Sequence, residues 1–118
     1  MITVTIHHDE NRRVSAFEFS GHAEYDEPGK DLVCAGASTI AIGTVNAIYA
    51  LLNIEPKIEQ ATEGGGYLKV DLPTDIDAQL DEKLQLIVQV MTAQVYSMVQ
   101  NYGQYIQIKY KQVGGGTQ

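Results

Sequence analysis

The pattern that most narrows the fold of this chain is a long run of apolar residues at helical spacing: Leu80, Leu84, Ile87, Val88, Met91, Val95, Met98, Val99 and Tyr102. Residues three and four positions apart share one face of an α-helix, so these side chains form one continuous stripe. Residues 73–77, Pro-Thr-Asp-Ile-Asp, read as the helix start, with Thr74 or Asp75 as cap and acids favoured by the helix dipole. Gly103 ends the run. A helix of this kind is stable only if a sheet or a second helix covers its stripe.

The remaining segments supply both. Residues 2–6 alternate with period two and are rich in β-branched side chains, which predicts a strand with Ile2, Val4 and Ile6 inward. Residues 7–13 are polar and suit a turn, with His7 and His8 on solvated surface. Residues 14–20 alternate again, with Phe17 and Phe19 on one face, and complete a hairpin. A second hairpin is expected from 57–62 and 67–72 around Gly64, Gly65 and Gly66, with Leu68, Val70 and Leu72 on one face. The glycines permit the positive φ angles that tight hairpin turns need. Residues 105–110 give a last strand, with Ile106, Ile108 and Tyr110 aligned.

Between the hairpins, residues 32–52 have helical spacing, with a stripe of Ala37, Ala41, Val45, Ile48 and Leu52 widened by Ile40, Ala47 and Leu51. So apolar a helix should be largely buried, in the core or against a second copy. Asp31 is placed to cap it, Asn53 to stop it, and Pro56 forbids continuation. The order is β-β-α-β-β-α-β. The expected fold is α/β (α+β): two layers, with a mixed or antiparallel sheet of about five strands and two helices. One domain spans 1–112, and 113–118 is a frayed tail.

Composition removes several function classes. The formal charge of -7, with no basic cluster longer than Arg12 and Arg13, argues against direct nucleic-acid binding. No apolar run was expected to reach the roughly 20 residues of a membrane span. The first residues lack a basic segment followed by an apolar one, so no signal peptide is expected. One cysteine forms no internal disulfide and no thiolate-rich zinc site, which fits a reducing cytoplasm and no metal or cofactor. The glycine triplet lacks the G-K-[ST] and the helix that follow in a phosphate loop.

Chemistry concentrates in residues 20–38, S-G-H-A-E-Y-D-E-P-G-K-D-L-V-C-A-G-A-S. His22 closes a strand, Cys34 opens a helix, and a polar loop with Pro28 and Gly29 joins them. A cysteine attacks as thiolate, and a helix N-terminus or a nearby imidazolium favours that form. His22 would be base toward the thiol and acid toward a leaving amine, and first-turn N–H groups would face a developing oxyanion. Asp31 has two readings, a helix cap or the acid that orients His22. Ser38, one turn after Cys34, either bonds near the thiol or is a small packing residue. Against the catalytic reading stand a structural cysteine in a dimeric, non-enzymatic ribosome-assembly adaptor and a redox-sensing thiol, the latter without a resolving partner in the chain.

The S-G-H-A segment, the polar loop with Pro28-Gly29 and K-D-L-V-C-A-G-A-S before an apolar helix resemble the ribosomal-processing cysteine protease family, Prp. The resemblance implies a small cytoplasmic homodimer that removes an N-terminal extension from a large-subunit ribosomal protein, number twenty-seven. It implies a dyad of Cys34 and His22, with Asp31 and Ser38 at the family's acid and serine positions and Gly21 and Gly29 at its loop glycines. The small residues at 35–37 fit the same pattern. The acidic charge would suit a basic ribosomal substrate, and the loop is expected to close over bound peptide.

Overall fold

The computed structural model describes residues 1–21, 30–61 and 66–112, with the side chains of Lys30 and Asp31 excepted. The element order is β1 (Ile2–His8), β2 (Val14–Ser20), α1 (Lys30–Leu52), β3 (Lys57–Gln60), β4 (Tyr67–Asp71), α2 (Ala78–Tyr102) and β5 (Ile106–Gln112), as expected. The expected tail at 113–118 lies outside the described residues. The strands form one mixed sheet in the order β3-β4-β2-β1-β5, in which only β1 and β5 run parallel. That parallel pair requires a crossover, and the second half of the chain provides it.

Alternation along the strands decides which face is buried. Ile2, Val4 and Ile6 sit beside Phe17 and Phe19 of β2, Val70 of β4 and Ile106 of β5, all buried against α1 and α2. Leu84, Val88, Met91 and Val95 form the inner stripe of α2, as its periodicity predicts. Among the described residues, no helix covers the opposite face of the sheet, which is mostly polar.

Three local readings are corrected. The cap of α2 is Asp77, whose side chain accepts from the Leu80 N–H at 2.8 Å, rather than Thr74 or Asp75. His7 and His8 belong to β1, not to a turn. The turn is tightened by Asp9, whose Oδ1 accepts from the N–H groups of Asn11 and Arg13 at 2.9 and 3.0 Å, with Arg12 at φ 64°. The buried stripe of α1 centres on Val33, Ala37, Ala41, Thr44 and Ile48, with the expected Val45 and Leu52 packed against the core at its margin and only partly buried. Thr44 tolerates burial because its hydroxyl donates to the Ile40 carbonyl at 2.6 Å. Asn53 stops α1 in the left-handed region, φ 55°, with its N–H on the Tyr49 carbonyl.

The outer side of α1 departs further from expectation. Leu32, Ile42, Tyr49 and Leu51 are exposed, as are Leu86 and Val90 of α2, so within one copy α1 is not largely buried. The segment Leu32–Leu52 is also long and apolar enough to cross a membrane, contrary to the expectation that no run reaches that length. Its inner stripe packs in the domain core, and 28% of the apolar segment is buried.

The first hairpin is latched to α2 by polar contacts. Arg13 Nε donates to both carboxylate oxygens of Asp81, at 2.9 and 3.0 Å, and its Nη2 reaches the Pro73 carbonyl. Gln85 accepts from the Val14 N–H and donates to the Val14 carbonyl, both at 2.9 Å, so its amide acts as a short extra strand. Arg13→Ala would leave the half-buried Asp81 and the Pro73 carbonyl short of partners. The expected loss is about 2 kcal/mol, to be read by urea denaturation; an unchanged midpoint would show that water replaces the guanidinium without loss.

Candidate active site

The ladder between β2 and β4 continues one pair beyond both strands. The Gly21 N–H donates to the Gly66 carbonyl at 2.8 Å, in register with the pairing of Ser20 and Tyr67. Both glycines have positive φ, 90° and 79°. A Cβ on Gly21 would collide with the Met1 carbonyl oxygen, so no other residue fits there without backbone movement. This last β2–β4 pair carries no side chains, and the space it leaves is roofed by α1.

The resulting cleft has a volume of about 330 Å³. Its sheet side is a register row of Phe19, Leu68 and Gln60, with Ile2 next to it. Its helix side carries Cys34, Ser38 and Ile42, one turn apart along α1, with Ala37 and Ala41 behind them. Small residues on that helix face keep the cleft open, and Cys34 stands at one end as a half-buried free thiol.

The structure thus brings three predicted residues, Gly21, Cys34 and Ser38, to one cleft. His22 and Gly29 lie outside the described residues; His22 follows Gly21 directly in sequence. Because α1 begins at Lys30, Asp31 stands inside its first turn, past the capping position expected for it. An acid there is still favoured by the helix dipole. Cys34 is the fifth helical residue, so the N–H groups of the first turn, which a helix leaves without an i−4 acceptor, lie just ahead of the thiol in the chain. Among the described residues, no cluster of three or more His, Cys, Asp or Glu is arranged to hold a metal.

Sequence reasoning missed the opposite wall. Phe19 and Leu68 were legible as core residues, but nothing in the sequence pairs β2 with β4 or brings Gln60 opposite α1. It also missed a polar network on the helix-free face. His7 Nε2 bonds Glu18 Oε2 at 2.5 Å, and Glu18 also accepts from Tyr67. Burial pushes the Glu18 carboxyl up, but the bonds from His7 and Tyr67 and the charge of Lys69 outweigh it and hold the pKa below its ordinary 4.5. Tyr67 is pushed up, first by burial and then by the neighbouring Glu18 charge.

A lowered carboxylate pKa stabilises the fold above the unfolded-state value, and that contribution is lost as pH falls through the folded-state value. Wild type should therefore lose stability below about pH 4.5 more steeply than Glu18→Gln, as measured by thermal melts across pH 3 to 7. Parallel curves for the two proteins would assign the acid sensitivity to other carboxylates.

A two-layer domain with one free thiol in an apolar, helix-roofed cleft fits the class of cysteine peptidases. Comparison with known proteins supplies the particular family. The family model for cysteine protease Prp matches residues 1–107, and the chain belongs to that family. It is 34% identical over 102 residues to the ribosomal processing cysteine protease Prp of Bacillus subtilis, covering 86% of this chain and 90% of that protein. The Staphylococcus aureus protein of the same name is 36% identical over 111 residues, covering 94% of this chain and all of that one. Two crystal structures of an essential Prp from S. aureus share the fold. One, with a substrate peptide, has a TM-score of 0.79 at 32% identity; the other, with a covalently linked product peptide, has 0.78 at 35%. Both alignments cover 94% of this chain and the whole of the other. The chain is accordingly a cysteine peptidase of the ribosomal-processing family.

Proposed function

We propose that this protein is the endopeptidase that removes the N-terminal extension of large-subunit ribosomal protein number twenty-seven during ribosome assembly, with Cys34 as nucleophile and His22 as its general base and acid. The observation that carries the reading is the placement of Cys34: the chain's only thiol opens into the cleft beside the N-terminus of α1.

In this mechanism His22 takes the thiol proton and Cys34 Sγ attacks the scissile carbonyl carbon. The unpaired N–H groups at the start of α1 receive the oxyanion. Collapse breaks the C–N bond as His22 returns the proton to the leaving amine, leaving a thioester. Water, activated by the same imidazole, hydrolyses the thioester and restores the thiol. Asp31 orients His22, and Ser38 lines the path of the substrate beside the sulfur. No metal or cofactor takes part.

The enzyme is proposed to work as a cytoplasmic homodimer. Support comes from Leu32, Tyr49 and Leu51, exposed apolar side chains of α1 outside the cleft that a second copy would cover. The acidic balance suits a basic ribosomal precursor as partner.

The test is incubation of wild type and His22→Ala with a peptide spanning the extension junction, read by mass spectrometry. A single cut by wild type, slowed at least about 100-fold in His22→Ala, is the expected result. No cut by folded, dimeric wild type would leave the non-enzymatic adaptor as the better account.

A further inference from the structure

The cleft is bounded on its open side by β3, an edge strand of the sheet, and the ladder geometry shows which of its backbone groups pair with no other described strand. The Ala61 N–H donates to the Tyr67 carbonyl at 3.2 Å, in register with the pairs Gln60 with Leu68 and Glu59 with Lys69. In an antiparallel ladder, hydrogen-bonded and non-bonded pairs alternate. Residues 57, 59 and 61 therefore spend their N–H and C=O groups on β4. Ile58 and Gln60 direct theirs away from the sheet. The adjoining ladder confirms the phase: β4 bonds β2 through Gly66 and Leu72, which leaves Tyr67, Lys69 and Asp71 to face β3.

This free edge is continuous with the cleft, since Gln60 and Ala61 line the same space as Cys34 and Ser38. The sheet's other edge strand, β5, contributes none of the described lining residues. β3 also lacks proline, and all four of its residues are exposed. Edge strands left open in this way are templates for a further strand.

We infer that β3 is the docking edge for the substrate: the peptide cut at Cys34 lies alongside β3 as a sixth strand and exchanges backbone hydrogen bonds with Ile58 and Gln60. The inference rests on the endopeptidase reading above and adds where the substrate is held. Every second substrate side chain then turns toward α1, into the space between Leu68, Ala41 and Ile42, and the intervening ones turn to the helix-free face. Main-chain bonds hold the peptide irrespective of sequence, and the apolar cleft selects among the side chains that enter it.

The experiment is a backbone N-methyl scan of the junction peptide, with kcat/KM measured for the full-length wild-type protein. A strand added to β3 predicts period two: two amides, two residues apart, each lose about tenfold or more on methylation, while the amide between them changes little. A flat profile, or a contiguous block of sensitive amides, would overturn the inference. The matching protein variant is Gln60→Pro, which removes an outward N–H and spares the ladder to β4. It should raise KM about tenfold with kcat nearly unchanged. A folded Gln60→Pro enzyme with wild-type KM would count against the docking edge, as would loss of the dimer in that variant with KM intact. If Gln60→Pro does not fold, the peptide scan decides alone. Failure of wild type to cut the unmodified peptide overturns the endopeptidase reading itself, an outcome distinct from cleavage without the period-two signature.

Discussion

Cys34→Ala is expected to abolish precursor cleavage, by roughly 10⁴-fold or more in kcat/KM, while the protein stays folded. The size follows from the chemistry: without sulfur no thioester forms, and the remaining groups offer only binding and oxyanion stabilisation. The fold should survive because Cys34 is only partly buried and faces the cleft, so truncation to alanine removes little packing. Initial rates by mass spectrometry and a thermal melt on the same sample separate the two effects. Measurable cleavage by purified Cys34→Ala would remove Cys34 from the role of nucleophile.

Gly21→Ala carries the next largest effect, and it acts on stability and rate together. The residue holds φ at 90°, where an L side chain costs about 1–2 kcal/mol. Its Cβ would also collide with the Met1 carbonyl, a backbone atom with no rotamer to give way. The expected loss is about 3 kcal/mol in all. Relief of the strain shifts the Gly21–Gly66 pair, which directly precedes His22 in the chain. A displacement of about 1 Å at the proposed base costs on the order of 100-fold in rate. Denaturation midpoint and kcat should fall together; a wild-type value of both would mean that the turn adopts a negative φ at no cost.

The physical reasons that made most of the fold legible are visible in single elements. The stripe from Leu84 to Val95 was readable because a helix in contact with a sheet repeats its burial every three to four residues. The two hairpins were readable because the alternation that marks their strands acts over short distances. The stripe of α1 was harder. That helix is apolar on nearly every side, so its sequence does not mark the inner face, and Thr44 is buried through a bond to its own backbone. The cap of α2 was misplaced because Thr74, Asp75 and Asp77 are all competent caps, and only the path of the chain after β4 selects Asp77.

For the site, the sequence by itself determined the candidate reactive group and its setting: one thiol, near the start of an apolar helix and twelve positions after a histidine. These are local properties, carried by residue type and spacing. It also determined the kinship, since the residues around Cys34 are what the family resemblance rests on. Only the tertiary structure decided that Gly66 closes a ladder with Gly21, that Phe19, Leu68 and Gln60 face α1 across a cleft, and that His7 and Glu18 pair on the opposite face. Each of these joins residues distant in the chain through strand register. Register is set by the packing of the whole sheet against its helices, and short-range periodicity does not encode it.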